Sequence, residues 1–315
     1  MALDHRKGRR IAYQAGAVAV LAAAAWFIVS NTAANLESRH IASGFAFLRR
    51  EAGFEIGERF FIAYDSAGSY LRALAVGLAN TFKVALPGIA LATAVGTLVG
   101  LCRLAKDPML RGLAAAYVEF VRNVPLLVQL FFWYTLFTQL PPPREALEPL
   151  RGVFLTNRGI YFPLAGSVPV LDRFNFSGGG SLSPEFATLL VGLTLYTAAF
   201  IAEIVRAGVR AVPRAQTQAA LALGLQPAAA TRYVVFPQAM RVIVPPLASQ
   251  YLNLIKNSSL AVAIGYPDLV SIANTTINQT GQAIEGVAVI MAVYLTISLA
   301  ISAFMNWYNA RLGRR

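Results

Sequence analysis

The chain has 315 residues, of which 57% are hydrophobic and only 13% are charged. A soluble domain usually carries about a quarter charged residues, so this composition excludes a globule whose whole surface faces water. Several apolar runs exceed the ~18–20 residues that cross a hydrocarbon core, whereas the segments of ~10 alternating residues typical of a transmembrane barrel are absent. The sequence therefore predicts an all-α polytopic membrane protein.

The charge and the reactive residues exclude several classes of function. The net charge of +12 does not indicate a nucleic-acid partner, because the arginines cluster at the ends of apolar runs and not on one soluble face. Cys102 is the single cysteine, which excludes an internal disulfide and a thiolate metal cluster. His5 and His40, the two histidines, lie outside every predicted span and form no ligand-spaced cluster. We therefore predict no catalytic residue, no metal site and no cofactor site, which argues against a membrane-embedded enzyme.

Six transmembrane helices are predicted in chain order. The first follows the basic residues Arg6, Lys7, Arg9 and Arg10. A signal peptide begins in a similar way, but its apolar core is only ~7–15 residues long, so the longer run here favours an uncleaved anchor helix. The six predicted spans are residues 11–30, 70–101, 111–139, 184–208, 241–263 and 284–309.

Basic residues in the short loops set the predicted orientation. The loop after the second span and the segment after the fourth span are rich in arginine, and so are both termini. The positive-inside rule places all four on the cytoplasmic side. The 31–69 and 140–183 segments then lie outside, and Pro141–Pro143 with residues 177–181 predict an irregular solvated loop there. The basic residues are Arg103, Lys106 and Arg111, then Arg206, Arg210, Arg214, Arg232 and Arg241, and finally Arg311, Arg314 and Arg315.

The 209–240 loop is predicted to contain two short helical pieces. Pro213 suits a first helical turn, Gly224 suits a left-handed helix stop, and Pro227 can begin the second piece. Short helices are marginal alone in water, so these pieces need neighbouring spans or a partner to persist. On composition alone, an ordinary surface linker is the preferred interpretation of this loop.

The residue spacing in the 209–240 loop resembles the EAA loop of ATP-binding-cassette (ABC) importer permeases. The spacing matches without insertion, although Gln218, Val234 and Phe236 stand where the family has Glu, Ile and Leu. The resemblance implies that residues 216–226 form a coupling helix that inserts into a groove on a separate ATPase. The ATPase-coupling residues carried over in this way are Gln218, Ala219, Ala220, Gly224 and Pro237.

Further motifs resemble the polar amino-acid permeases. Residues 121–132, 201–208 and 256–260 carry this likeness, and residues 157–163 are similar to the general L-amino-acid and glutamate/glutamine/aspartate permease subunits. The resemblance extends over most of residues 53–312. It implies the fold of a type I ABC importer permease, with a MetI-like core of five helices following the N-terminal anchor helix.

The resemblance also implies an assembly in the bacterial inner membrane. Its other members are a periplasmic amino-acid-binding protein, a second homologous permease subunit and two ATPase subunits that bind ATP and Mg²⁺. The chain itself contains no Gly-x-x-x-x-Gly-Lys-Ser/Thr phosphate loop, so ATP hydrolysis is expected on the partner. In this assignment residues 1–69 form the cytoplasmic tail, anchor and periplasmic segment, and residues 70–312 form the permease domain.

Ionisable side chains inside predicted spans admit a structural and a functional interpretation. Glu119 and Arg122 are three residues apart, as are Glu203 and Arg206, so each pair can neutralise itself on one helix face. Lys83 and Lys256 complete the set. Functionally, a zwitterionic amino acid needs a polar path that offers both an acid and a base. The predicted path residues are Arg122, Glu203, Asn257, Ser258 and Ser259.

Small residues and prolines within the spans are interpreted as packing and bending devices. Glycines in the second span allow close helix approach, and prolines in the third and fifth spans can kink their helices. The glycines are Gly77, Gly88, Gly96 and Gly100, and the prolines are Pro125, Pro245 and Pro246.

The alternative function is a secondary amino-acid transporter driven by an ion gradient. Such transporters commonly contain an internal repeat with paired broken helices. The sequence contains no convincing repeat, since the two Glu-x-x-Arg pairs are too short to count. The ATP-driven importer is therefore the preferred interpretation.

Overall fold

A computed structural model of the chain describes residues 2–38 and 43–312; His40, Arg314 and Arg315 lie outside them. The described residues form long helices joined by short ones, with β-structure confined to residues 147–182. The first five helices are α1 Ala2–Ser38, α2 Tyr70–Cys102, α3 Pro108–Asn123, α4 Leu126–Thr138 and α5 Pro184–Arg210. The next five are α6 Arg214–Ala222, α7 Pro227–Ala230, α8 Phe236–Asn257, α9 Leu269–Thr280 and α10 Ala283–Leu312.

Four helices of the described residues are long and apolar enough to cross a membrane. They are Tyr13–Thr32 within α1, the whole of α2, the whole of α5, and Ala283–Met305 within α10. The number rises to six if each of two bent helix pairs counts as one span. The predicted first, second, fourth and sixth spans are therefore confirmed as membrane-length helices.

The predicted third span, residues 111–139, is wrong as a single helix. α3 and α4 meet at an angle of 104°. The break occurs because Val124 is extended, as expected before a proline, and Pro125 has no N–H to continue the helical ladder. At 1.5 Å per residue α3 is about 24 Å long and α4 about 20 Å, so neither crosses a bilayer alone.

The bent pair nevertheless follows α5 along much of its length. Val118 and Val121 of α3 pack against Ala199 and Ala202 in the second half of α5. The α4 residue Leu130 packs against Gly192, nearer the start of α5. The two short helices thus contact different parts of α5, α3 its second half and α4 a position nearer its start.

The predicted fifth span, residues 241–263, lies within the continuous helical stretch Pro227–Ile264, but that stretch bends into a further helix. α8 runs through Pro245 and Pro246, continues as the tight helical segment Ser258–Ile264, and is followed by α9 at a bend of 51°. α9 is a further helix that the sequence did not predict. Asp268 begins it, because its carboxylate accepts a hydrogen bond of 2.8 Å from the N–H of Ser271.

α5 lies at the centre of the bundle, in contact with α2, α3, α4 and α8. Its closest neighbour is α2, and glycine allows that approach. A Cβ atom added at Gly96 would lie 2.7 Å from Cβ of Ile201, and one at Gly100 would lie 2.8 Å from the carbonyl oxygen of Ala202. A Cβ at Gly77 would likewise lie 2.9 Å from the carbonyl oxygen of Asp268. The predicted packing role of these glycines is confirmed.

Residues 43–69 pack as a compact segment on the start of α2 and on α9. Phe47, Ile56 and Tyr64 are buried in a cluster with Leu74 and Ile272. Backbone hydrogen bonds hold the segment together, including those from Ala52 to Gly68 and from Gly53 to Ser66. This segment forms one wall of the cavity described below.

The 140–183 loop is not irregular throughout, contrary to the sequence-based expectation. It forms a four-stranded antiparallel sheet, β1-β2-β3-β6, and a separate hairpin, β4-β5. Gly159 opens β3 with a positive φ of 144°, and a Cβ there would meet the carbonyl oxygen of Leu182. Phe176 of the hairpin stacks on Phe154 of the sheet with ring centres 4.4 Å apart. The strands are Leu147–Leu150, Val153–Thr156, Gly159–Phe162, Val170–Asp172, Asn175–Ser177 and Gly180–Leu182.

Candidate functional site: a docking loop and a polar cavity at opposite ends

In the 209–240 loop the predicted break at Gly224 and Pro227 is confirmed, but only the first helical piece, α6, is separate, because the second begins the continuous helical stretch Pro227–Ile264. α6 ends in a glycine-terminated turn: Gly224 has φ of +82°, its N–H donates to the carbonyl of Leu221, and the N–H of Leu225 donates to the carbonyl of Ala220. This is the Schellman arrangement, in which a left-handed glycine lets the chain reverse while two helix-end carbonyls stay bonded. Pro227 then starts α7, which runs through Thr231–Val235 into α8. The loop is therefore an ordered part of the fold.

This helix end exposes a cluster of leucines that the sequence analysis did not single out. Leu223 is 85% exposed, and Leu221 and Leu225 are 42% and 37% exposed. Gln218 is exposed on the same helix, whereas Ala220 is only 4% exposed and packs inward. Apolar side chains presented on a polar surface mark a contact site for another molecule. The Leu-x-Leu-Gly-Leu pattern around the glycine was the available signal, but apolar residues in a short amphipathic helix are normally assigned to its buried face.

A polar cavity lies at the opposite end of α5, about 38 Å from Arg210 at 1.5 Å per residue. Its volume is about 770 Å³, within the usual range for ligand pockets. Residues 43–69, the β-sheet, α2, α5 and α9 all contribute to its wall. The lining residues are 54–59, Lys83, Arg158, Tyr161, 181–183, Glu185, Gly265, Pro267, Ser271, Ile272 and Thr275.

Charges of both signs meet in this cavity. Lys83 of α2 forms a 2.5 Å ion pair with Glu58, and Ser183 donates a 2.9 Å hydrogen bond to the other oxygen of that carboxylate. The ammonium of Lys83 also lies 4.9 Å from the centre of the Phe186 ring. Among the residues that the structure describes, no group of three His, Cys, Asp or Glu side chains could hold a metal ion. The cavity therefore offers ion pairs and hydrogen bonds to a polar molecule.

The two predicted i, i+3 ion pairs have different outcomes. Glu203 is paired with Arg206, as predicted, and also with Arg103 at the end of α2. Glu119 and Arg122 are both exposed and form no ion pair with each other, so that prediction is wrong. Arg122 instead lies over an aromatic ring of α5. The physical reason is that its guanidinium gains a face-on cation–π contact there, which competes with a solvent-exposed ion pair of small net energy.

The predicted path residues do not form one cluster. The guanidinium of Arg122 lies 5.0 Å from the centre of the Phe200 ring. Phe200 precedes Glu203 by about one turn of α5. Glu203 is about 10 Å along the helix from the end of α5. Asn257 ends α8, about 31 Å along that helix from its start at Phe236 beside the 209–240 loop. The set thus occupies two depths in the bundle, with Arg122 and Glu203 at one and residues 257–259 at the other.

The serines of the set have local hydrogen-bond partners. Ser258 donates to the carbonyl of Ile255 and Ser259 to that of Lys256, both at 2.7 Å. These bonds lie where α8 passes into the tighter helical segment Ser258–Ile264. Ser258 is buried, whereas Asn257 and Ser259 are partly exposed. Their hydroxyl oxygens keep a free acceptor position each.

Known proteins match both the sequence and the fold. The sequence profile of the family described as "Binding-protein-dependent transport system inner membrane component" matches residues 92–315. The general L-amino acid transport system permease protein AapQ of Rhizobium johnstonii is 42% identical, over 98% of this chain and 93% of its own length. The glutamate/glutamine/aspartate/asparagine transport system permease protein BztB of Rhodobacter capsulatus is 33% identical, over 92% of this chain and 90% of its own.

The structural comparison agrees with the sequence comparison. A chain in the crystal structure of an amino acid ABC transporter with histidines superposes with a TM-score of 0.59 and 26% identity, covering 77% of this chain and 95% of its own. The predicted fold of a type I, MetI-like permease core with an additional N-terminal helix is confirmed. The chain is a multi-pass membrane protein and belongs to the binding-protein-dependent transport system inner membrane components, among the permeases of amino-acid ABC transporters.

Proposed function

We propose that this permease couples a separate ATPase, through the 209–240 loop, to the passage of polar amino acids across the bacterial inner membrane. The observation that carries the proposal is the exposed leucine cluster around Gly224, at the end of the bundle opposite the polar cavity. An apolar surface on a loop beside the membrane is unfavourable in water unless a partner covers it. The EAA-like spacing of the loop supports an ABC ATPase as that partner.

The remaining assembly follows from the family. Two ATPase subunits would bind ATP and Mg²⁺, a second homologous permease would complete the path, and a periplasmic binding protein would deliver the amino acid. The 209–240 loop and both termini would then face the cytoplasm, as the arginine distribution predicts. The substrates named for AapQ and BztB support L-amino acids such as glutamate, glutamine and aspartate as the cargo.

Thiol cross-linking tests the docking role. Leu223→Cys in a Cys102→Ser background places one thiol on the most exposed leucine of the loop. We expect it to cross-link to the ATPase in membranes and to stay unlabelled by an impermeant thiol reagent added outside the cell. Leu171→Cys in the β4-β5 hairpin is the control and should show the reverse. Labelling of Leu223→Cys from outside, or no cross-link during active uptake, would overturn the proposal.

We further propose that the path residues line successive parts of one passage, not one site. One acid and one base at one depth, and neutral hydrogen-bonding side chains at the other, would hold a zwitterion weakly at each stage, which favours release. Arg122→Gln and Asn257→Ala should each lower the uptake rate several-fold, while the amount of assembled complex stays constant. Arg122 is preferable to Glu203 as a probe because it has no ion pair within the described residues, so its loss leaves none of their charges without a partner. Wild-type uptake by both variants would remove these residues from the path.

A further inference from the structure

A second cavity lies beside the 209–240 loop end of the bundle and is lined by four arginines. Its volume is about 340 Å³. It lies where the end of α2, the start of α3 and the end of α5 meet. The lining residues are Arg103, Pro108, Arg111, Gly112, Ala115, Arg206 and Arg210.

The charge of this cavity is not balanced by nearby acids. Glu203 pairs with Arg103 and Arg206, and so compensates one of the four positive charges. Asp107, at the edge of the cavity, accepts a 2.7 Å hydrogen bond from the N–H of Leu110 and caps α3.

The two outer arginines, Arg111 and Arg210, are exposed, and neither guanidinium group has an ion-pair or hydrogen-bond partner within residues 2–38 and 43–312. The site therefore attracts an anion.

An apolar stripe continues from the cavity along α3. Met109, Leu113 and Phe120 are 73%, 61% and 69% exposed. Their spacing of four and seven residues puts them on one helix face, which borders the cavity at Gly112, three residues after Met109, whereas Arg111 and Ala115 lie on the other side of α3. A ligand that satisfies both surfaces has an anionic head and long apolar chains.

We propose that this cavity binds the phosphate of an anionic phospholipid, whose acyl chains lie along the Met109–Leu113–Phe120 stripe. Arg111 and Arg210 bind the phosphate as charged hydrogen-bond donors, and the Arg103–Glu203–Arg206 cluster forms the inner wall. Basic pockets between helices at a membrane surface are suited to such headgroups. A free phosphate ion would use the arginines but not the stripe.

Native mass spectrometry of the full-length chain in mild detergent, with equal amounts of phosphatidylglycerol and phosphatidylethanolamine, tests the proposal. We expect a preference for phosphatidylglycerol of about thirtyfold, because Arg111 and Arg210 each contribute about 1 kcal/mol at an anionic lipid surface. The double variant Arg111→Gln/Arg210→Gln should lose most of it, and Arg111→Lys/Arg210→Lys should keep most of it. The control Arg214→Gln/Arg232→Gln removes two exposed arginines of the 209–240 loop outside the cavity and should leave the preference unchanged.

Three outcomes would overturn the proposal. The first is equal binding of the two lipids by the wild-type chain. The second is equal loss of preference in the Gln double variant and in the control. The third is displacement of phosphatidylglycerol by millimolar inorganic phosphate or glycerol 3-phosphate, which would assign the cavity to a free anion and not to a lipid.

Discussion

At the scale of single residues, glycine meets two separate physical needs in this permease. At Gly96 the need is space, because a Cβ would collide with Ile201 on α5. At Gly224 the need is conformation: no atom lies within 4 Å of an added Cβ, but φ is +82°. Both roles were predicted from the sequence, since a glycine among apolar residues of a long span indicates close packing and a glycine after a short helix indicates a left-handed stop.

Gly224→Ala should weaken coupling without creating a steric clash. An alanine in the left-handed region costs about 1–2 kcal/mol. The population of the turn that presents Leu223 should therefore fall by at least about fivefold. Gly224→Asn is the matched control, because asparagine adopts this conformation more readily. We expect amino-acid uptake to fall several-fold in the alanine variant and much less in the asparagine variant. Equal effects of the two substitutions would show that the conformation of Gly224 is not what matters.

At the scale of elements, the break between α3 and α4 is held by one buried side chain. Gln129 donates from its amide nitrogen to the carbonyls of Val121 (2.8 Å) and Val124 (3.0 Å). Pro125 cannot supply an N–H to this turn, so the glutamine amide takes its place. The sharp bend thus needs both residues, and both lie in the 121–132 motif that resembles polar amino-acid permeases.

Gln129→Leu should destabilise the fold at this break. The substitution leaves two helix-end carbonyls without donors in an apolar environment, at a cost of about 1–3 kcal/mol for a buried unsatisfied group. Gln139→Leu removes an exposed glutamine at the end of α4 and serves as the control. Thermal unfolding of the detergent-purified chain should show a lower midpoint for the first variant only. An unchanged midpoint for Gln129→Leu would mean that the amide does not hold the break.

The elements differ in how far the sequence reveals them. The four membrane-length helices follow directly from the lengths of their apolar runs. Pro125 indicated a kink in the third span. The angle between α3 and α4, however, depends on the hydrogen bonds of Gln129, which cannot be inferred from the sequence. α9 was missed because its residues 274–280 are mainly polar and its buried face, including Ile272, is covered by residues 43–69. The strands of the 140–183 loop were missed because each has only three or four residues among glycines and prolines.

The candidate site was predicted more completely in the 209–240 loop than inside the membrane. The helix ends in this loop depend on local capping residues such as Gly224 and Pro227, which can be recognised in the sequence. Charge pairing depends on which helices become neighbours: the partner of Glu203 on α2, Arg103, lies 100 residues away, and Glu58 reaches Lys83 from outside the predicted spans. The polar cavity likewise joins segments that are far apart in the chain.

At the scale of the whole molecule, the two ends of the bundle have different surfaces. One end presents the exposed apolar side chains of Leu221, Leu223 and Leu225, beside a cavity lined by four arginines. The other end holds a polar cavity with charges of both signs. α5 connects the two ends directly and packs against α2, α3, α4 and α8. In the proposed mechanism, a movement applied at the 209–240 loop reaches the cavity through this central, closely packed helix.

Amino-acid uptake into proteoliposomes that contain the assembled complex tests this account most directly. With a glutamate-type substrate, its binding protein outside and ATP accessible to the ATPase, the account predicts uptake that stops without ATP. Leu223→Asp, which places a charge among the exposed leucines of the 209–240 loop, should abolish that uptake while the amount of purified permease stays the same. Uptake driven by a proton or sodium gradient in vesicles without the ATPase would contradict the account.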